Sequence, residues 1–112
     1  MDLRGFCVVQ TTIDEESKAE EIATALLEEK LAACIQIATV QSRCVWRGAL
    51  AREREFLLSI KARAADFTEI AQKIRALHSY ETPEIIAVPI RAGDAAYLDW
   101  AAQATERAKP AG

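Results

Sequence analysis

The sequence predicts an α+β fold, with elements in the order βαββαβ and one further helix at the end. Three observations carry this. Two stretches repeat apolar residues at helical spacing, four others run apolar or alternate with period two, and Gly48 interrupts the longest strand-like run near its middle. Split β-α-β units of this length build a ferredoxin-like sandwich, a four-stranded antiparallel sheet under two helices. Right-handed crossovers leave few other topologies.

Gly5 to Ile13 is apolar and β-branched and reads as a buried strand. Asp14 is placed to cap a helix, and Glu15 and Glu16 suit the positive end of its dipole. That helix is expected to run to about Ala32, with Ala19, Ile22, Ala23, Leu26 and Leu27 as its apolar stripe. Ala33 to Arg47 is strand-like, but Ile35 and Ile37 have one parity while Val40, Cys44 and Trp46 have the other. A bulge near Ala38-Thr39 would account for that change. Gly48 supplies the turn, and Leu50 to Ala62 returns with Phe56, Leu58, Ile60 and Ala62 on one face.

Ala65 to His78 forms a second amphipathic helix on Phe67, Ile70, Ala71, Ile74 and Leu77. Glu84 to Ile90 is a short strand. Pro89 lacks a ladder donor, which puts that strand at an edge or makes Pro89 its end. Asp94 caps a last helix bearing Tyr97, Leu98 and Trp100, expected to fray by Lys109-Pro110.

The central hairpin is long for 112 residues, and helices of such a chain cannot cover all of it. Its distal half carries Val45, Trp46 and Leu50 among Arg43, Arg47, Arg52, Glu53, Arg54 and Glu55. Two strands alone are marginal in water, and an exposed edge bearing a tryptophan invites association. The hairpin is therefore expected to pack against another copy of the chain; a solvated charged ribbon is the plainer alternative.

Residues 1–112 are expected to form one domain. The composition, 51% hydrophobic and 28% charged, is that of a soluble globular protein. A net charge of −3 argues against a nucleic-acid partner. No apolar run approaches the ~20 residues of a membrane helix. The start, Met1-Asp2-Leu3-Arg4-Gly5, lacks the layout of a signal peptide, so the expected compartment is the cytoplasm. Cys7, Cys34 and Cys44 show no C-x-x-C spacing and are expected to be buried reduced thiols.

The chemistry concentrates at a helix-to-strand junction, where the lone histidine, His78, is followed by Tyr80, Glu81 and Glu84 around Pro83. No G-x-S-x-G, H-E-x-x-H or phosphate-binding glycine loop occurs, and no catalytic residue is assigned.

Several stretches in order resemble the CutA family of divalent-cation tolerance proteins. They are Ala25-Leu26-Leu27-Glu28-Glu29-Lys30-Leu31-Ala32-Ala33-Cys34, Trp46-x-Gly48, Glu55-x-x-Leu58-x-Ile60-Lys61, His78-x-Tyr80-Glu81-Thr82-Pro83-Glu84-Ile85-Ile86 and Gly93-Asp94-x-x-Tyr97-Leu98-x-Trp100. The resemblance covers nearly the whole chain. It implies a ferredoxin-like fold, a tight homotrimer and a likeness to the PII signalling trimers, which hold ligands between subunits. It also implies a link to copper tolerance and copper binding, and a binding or regulatory role. One branch of the family has copper ligands that include a cysteine, here Gln10, and adjacent histidines, here Leu77-His78. Only His78 of the three is present.

The candidate ligand cleft is therefore Lys61, His78, Tyr80, Glu81 and Trp46, lying between subunits. His78 is the candidate ligand for copper or another divalent cation, joined by a neighbour's Glu53 or Glu55; no metal is expected to be required for folding. Against this, a histidine at a helix C-terminus can simply complement the dipole. Lys61 can pair with a glutamate across the interface, and Tyr80 and Trp46 can be interface packing. Two alternatives for function are a sensor of a small anionic metabolite bound at Lys61 and a trimeric scaffold for a protein partner.

Overall fold

The computed structural model describes residues 2–107. Its elements are β1 (Phe6–Ile13), α1 (Glu16–Glu28), β2 (Cys34–Trp46), β3 (Ala49–Arg63), a single 3-10 turn (Ala64–Asp66), α2 (Phe67–Leu77), β4 (Ile86–Pro89) and α3 (Ala95–Ala104). The sheet has the order β2-β3-β1-β4, and all three pairings are antiparallel. This is the expected βαββαβ sandwich with an added helix. Among the described residues no helix is long and apolar enough to cross a membrane.

One face of the sheet makes the core. Cys7, Val9 and Ile13 of β1 and Leu58, Ile60 and Ala62 of β3 point to the helices and are fully buried. They meet Ala19, Ile22, Ala23 and Leu26 of α1 and Ile70 and Ile74 of α2, with Ile35, Ile37 and Ala87 at the margins. Burying each large aliphatic side chain there contributes about 1.5–3 kcal/mol. The opposite face, with Val8, Gln10, Leu57, Ser59, Lys61, Ile86 and Val88, is turned away from α1 and α2, and Arg63 at its end bonds α3. Ile86 and Val88 on that face are exposed.

α1 is shorter at both ends than its apolar pattern predicts. Asp14 is not the cap: Glu15 takes that position, without a side-chain bond. At the other end Lys30 adopts φ 57, its N–H bonds Leu27 O at 3.1 Å, and the Leu31 N–H bonds Leu26 O at 2.9 Å. This is a Schellman ending, in which Leu31 folds back on Leu26. Leu31 and Ala32 thus extend the apolar pattern without extending the helix.

The predicted bulge at Ala38-Thr39 is absent. β2 and β3 pair without a break from Cys34↔Lys61 to Trp46↔Ala49. The parity change has another cause. Ile35 and Ile37 pack on the core, whereas beyond Thr39 apolar groups occur on both faces of the unbroken ladder, Val45 on the core side and Val40, Cys44 and Trp46 on the other. The turn itself is Arg47 (φ 50) and Gly48 (φ 78), positive at both central positions, the two-residue hairpin geometry that matches strand twist.

β4 is the edge strand expected from Pro89, which is its last residue, though the strand begins only at Ile86. Asp94 caps α3 by accepting from Tyr97 N at 3.2 Å. Arg63 ties down the far end, donating to Ala102 O at 2.7 Å and Thr105 Oγ1 at 2.9 Å. Arg107 grips Asp66 through two 2.9 Å bonds and reaches Lys30 O at 3.0 Å. The expected fraying at Lys109-Pro110 lies outside the described residues. The three cysteines are free; Cys7 is buried, Cys34 half-buried and Cys44 exposed, so only Cys7 meets the expectation of a buried thiol.

A left-handed lysine is strained where glycine is not. Lys30→Gly is expected to stabilise the protein by about 0.5–1 kcal/mol in urea denaturation, with the Leu31–Leu26 bond kept; a loss of stability would contradict the reading of this helix end.

Candidate functional site

The junction after α2 owes its form to a gap in the sheet. Phe6 O bonds Ile90 N on the β4 side of β1, and Gly5 O bonds Ala64 N on the β3 side. Even-numbered residues of β1 therefore aim their backbone groups at β4, which pairs only as far as Gln10↔Ile86. Thr12 O lies beyond that end. His78 fills the place of the missing strand: its Nε2 lies 2.8 Å from Thr12 O and donates to it. Its Nδ1 accepts from Tyr80 N at 3.0 Å. The two bonds together require a neutral ring with its proton on Nε2.

His78 sets the position of Tyr80. The two rings meet edge to face at 4.7 Å. From there the Tyr80 hydroxyl donates to Glu55 Oε2 at 2.8 Å. Glu55 lies on the face turned away from α1 and α2, where β3 passes the end of β1, and it is 6% exposed. Burial pushes the Tyr80 hydroxyl far above the usual phenol range; the bond to Glu55 and the nearby charges of Glu55, Asp14 and Glu53 push it the same way.

The expected cleft residues do not all converge within one chain. His78 and Tyr80 meet. Glu81 reaches the hairpin turn, 4.0 Å from Arg47, whose guanidinium lies 5.4 Å from the centre of the Trp46 ring. Both contacts are well exposed and contribute little. Lys61 stands apart: it pairs in register with Val8, four residues or roughly 13 Å along β1 from Thr12. Within the chain its ammonium is held by Gln36 on the adjacent strand.

Within one chain, the hydrogen bonds of His78 bear on its expected role as a metal ligand. One ring nitrogen accepts a backbone N–H and the other carries a proton directed at a carbonyl, so neither offers a free lone pair. Glu55 is committed to Tyr80 of its own chain. Burial, and secondarily the charge of Asp66, raises the Cys7 thiol, which disfavours the thiolate a soft metal needs. Among the described residues no three His, Cys, Asp or Glu side chains converge. The donors within one chain do not fit a resident copper ion.

Glu55 is the residue that sequence reasoning misplaced, because it was considered only as a neighbour's contribution. Its one local signal is a carboxylate next to the strongly apolar run from Phe56, at the point where helix cover begins.

The family model described as "CutA1 divalent ion tolerance protein" matches residues 7–104. This chain belongs to the CutA1 family. It is 42% identical over 94 residues to the divalent-cation tolerance protein CutA of Thermus thermophilus, covering 83% of this chain and 91% of that one. The periplasmic divalent cation tolerance protein CutA from Archaeoglobus fulgidus superposes with a TM-score of 0.87 at 38% identity, over 90% of this chain and 99% of that one. CutA1 from Oryza sativa superposes at 0.88 and 32% identity, over 95% and 98%. The fold is thus that of solved CutA1 structures, and the helix-to-strand junction lies inside the matched region.

The raised Tyr80 proton affinity makes a pH prediction. A folded-state value above the unfolded value of about 10 means that the hydroxyl's contribution is complete below pH 10 and is lost as pH rises above it. Tyr80→Phe should cost about 1–3 kcal/mol near neutrality by leaving buried Glu55 without its donor. That difference from wild type should shrink in denaturation series above pH 10. A gap that stays constant to high pH would contradict the Tyr80–Glu55 bond.

Proposed function

We propose that this protein is a homotrimeric binding protein of divalent-cation tolerance, not an enzyme, whose ligand surface is assembled between subunits. One observation carries the reading. Beyond β1 the sheet continues as a two-stranded ribbon, residues 40–55, to which no third strand pairs among the described residues. At its end Val45 and Leu50 are 74% and 81% exposed, and Trp46 is 49% exposed. Two strands with such an end are not independently stable. Further copies of the chain would supply the missing strand partners and cover the face turned away from α1 and α2, with its exposed Ile86 and Val88.

Such an assembly places the Tyr80–Glu55 bond and the Trp46 end of the ribbon against a neighbour. Lys61, remote from His78 in one chain, then has a route to the same cleft through another. The cation link, to copper or a similar ion, runs through this intersubunit surface rather than through an ion held at His78. Support for the cation class is the family's own description, divalent ion tolerance. Three thiols, none of them paired, fit the reducing cytoplasm as the compartment.

Light scattering at micromolar concentration tests the assembly. The expected mass is three times the 12.3 kDa chain, and a mass of one chain would sink the proposal. Calorimetric titration with copper tests the second half. His78→Ala is expected to lower stability by about 1–3 kcal/mol, because Thr12 O and Tyr80 N lose their partner. Copper affinity should stay within about threefold; a tenfold loss of copper affinity in a still-trimeric variant would return His78 to the ligand set.

A further inference from the structure

The β2–β3 register sorts the charges of the ribbon by face. Arg43 lies directly opposite Arg52, Gln41 opposite Arg54, and Val45 opposite Leu50, all on the side that faces the helices farther down the sheet. Glu53 and Glu55 lie on the other side. Lys61 O bonds Ala33 N on the β2 side, so odd residues of β3 aim their backbone at β2, and Arg43 and Arg52 occupy a non-hydrogen-bonded pair. That is where cross-strand side chains come closest, and like charges there repel. Among the described residues Arg43 donates only to Ser42 O and Gln41 Oε1. Among the described residues no carboxylate lies within ion-pair distance of Arg43, Arg52 or Arg54. The ribbon thus presents an exposed apolar pair at its end, followed by three arginines without counter-charge.

The complementary pattern occurs on α1. Lys73 of α2 pairs with Glu29 at 2.8 Å, which fixes the side of α1 that faces α2. Leu27 stands two residues away, about 200° around the helix, so its flank faces away from α2. Glu16 and Glu20 share that flank. All three are exposed, and Leu27, at 41%, is the one large apolar side chain of α1 left in solvent. α1 packs on β2, an edge strand, as well as on β3, and with α2 on its other side this flank is directed toward the β2 edge of the sheet. From Leu27 to Glu20 and Glu16 is about 10 and 17 Å along the helix. From Leu50 to Arg52 and Arg54 is about 7 and 13 Å along the strand, and arginine and glutamate side chains span the difference.

We infer that the arginine face of the ribbon docks on the Glu16–Glu20–Leu27 flank of α1 in a second copy of this chain. A ribbon added at the β2 edge with its arginine side toward the helix layer meets that flank, setting Val45 and Leu50 against Leu27 and the arginines against Glu16 and Glu20. The docking rests on the proposed oligomer and names the surfaces that meet in it. It relieves the Arg43–Arg52 repulsion that a single chain carries.

A charge exchange in the full-length chain tests this. Arg52→Glu and Glu20→Arg are both at exposed positions and leave the core untouched. Each alone is expected to raise the subunit-exchange rate of the oligomer at least tenfold, measured by mixing two differently tagged preparations at low salt. The double variant should return to within about threefold of wild type, and far-UV circular dichroism of all variants should match. Single variants that exchange like wild type, or a double variant no better than the worse single, would overturn the docking even if the wild-type mass is trimeric. A monomeric wild type would overturn both the docking and the oligomer on which it rests.

Discussion

The pairing of β2 with β3 runs without a bulge from one end of the hairpin to the other, and the rest of the molecule follows from that continuity. Register in an antiparallel pair assigns every side chain to a face, and one slipped residue would exchange the faces. With no slip, the side that starts under α1 and α2 with Ile35, Ile37, Leu58 and Ile60 is the side that ends with Arg43, Arg52 and Val45. The side that starts with Lys61 and Ser59 ends with Glu55, Glu53 and Trp46. A hydrophobic core, a carboxylate held by Tyr80 and an arginine surface are all consequences of one ladder.

The second constraint is the mismatch of strand lengths. β1 supports β3 only as far as Ile13↔Phe56, and β4 supports β1 only as far as Gln10. Each shortfall leaves groups that need partners. At the end of β4 the cost is met locally, by His78 bonding Thr12 O and thereby positioning Tyr80 over Glu55. At the end of β1 no further strand of the chain pairs with β3 among the described residues, and the ribbon projects as two strands. The first shortfall explains why both ring nitrogens of the lone histidine are bonded to backbone. The second explains why function in this family member is sought between chains.

Much of the fold was legible from period alone. Alternation gave the strands, the Ile22–Leu26 and Ile70–Ile74 spacings gave the helices, and Gly48, Pro89 and Asp94 marked a turn, an edge strand and a cap where the structure has them. The errors fell where local pattern and tertiary context part. Leu31 and Ala32 keep a helical period but follow a reversal at Lys30. Val40, Cys44 and Trp46 change parity because apolar groups occur on both faces of the ladder there, not because the strand bulges. The site was less legible than the fold. Thr12 and His78 are 66 residues apart, and Glu55 and Tyr80 are 25 apart. Which residues meet across such separations depends on register and on where each strand stops, and neither is written in composition or spacing.

The central claim is that the ribbon is a completed structure only when other copies of the chain lie against it. Amide hydrogen exchange over residues 40–55, followed across a dilution series, addresses this directly. The account predicts protection of the ribbon comparable to that of β1 and the paired half of β3 while the chain is associated, with loss of protection in the ribbon first once it dissociates. Fast exchange of the ribbon at every concentration, beside a protected core, would contradict it.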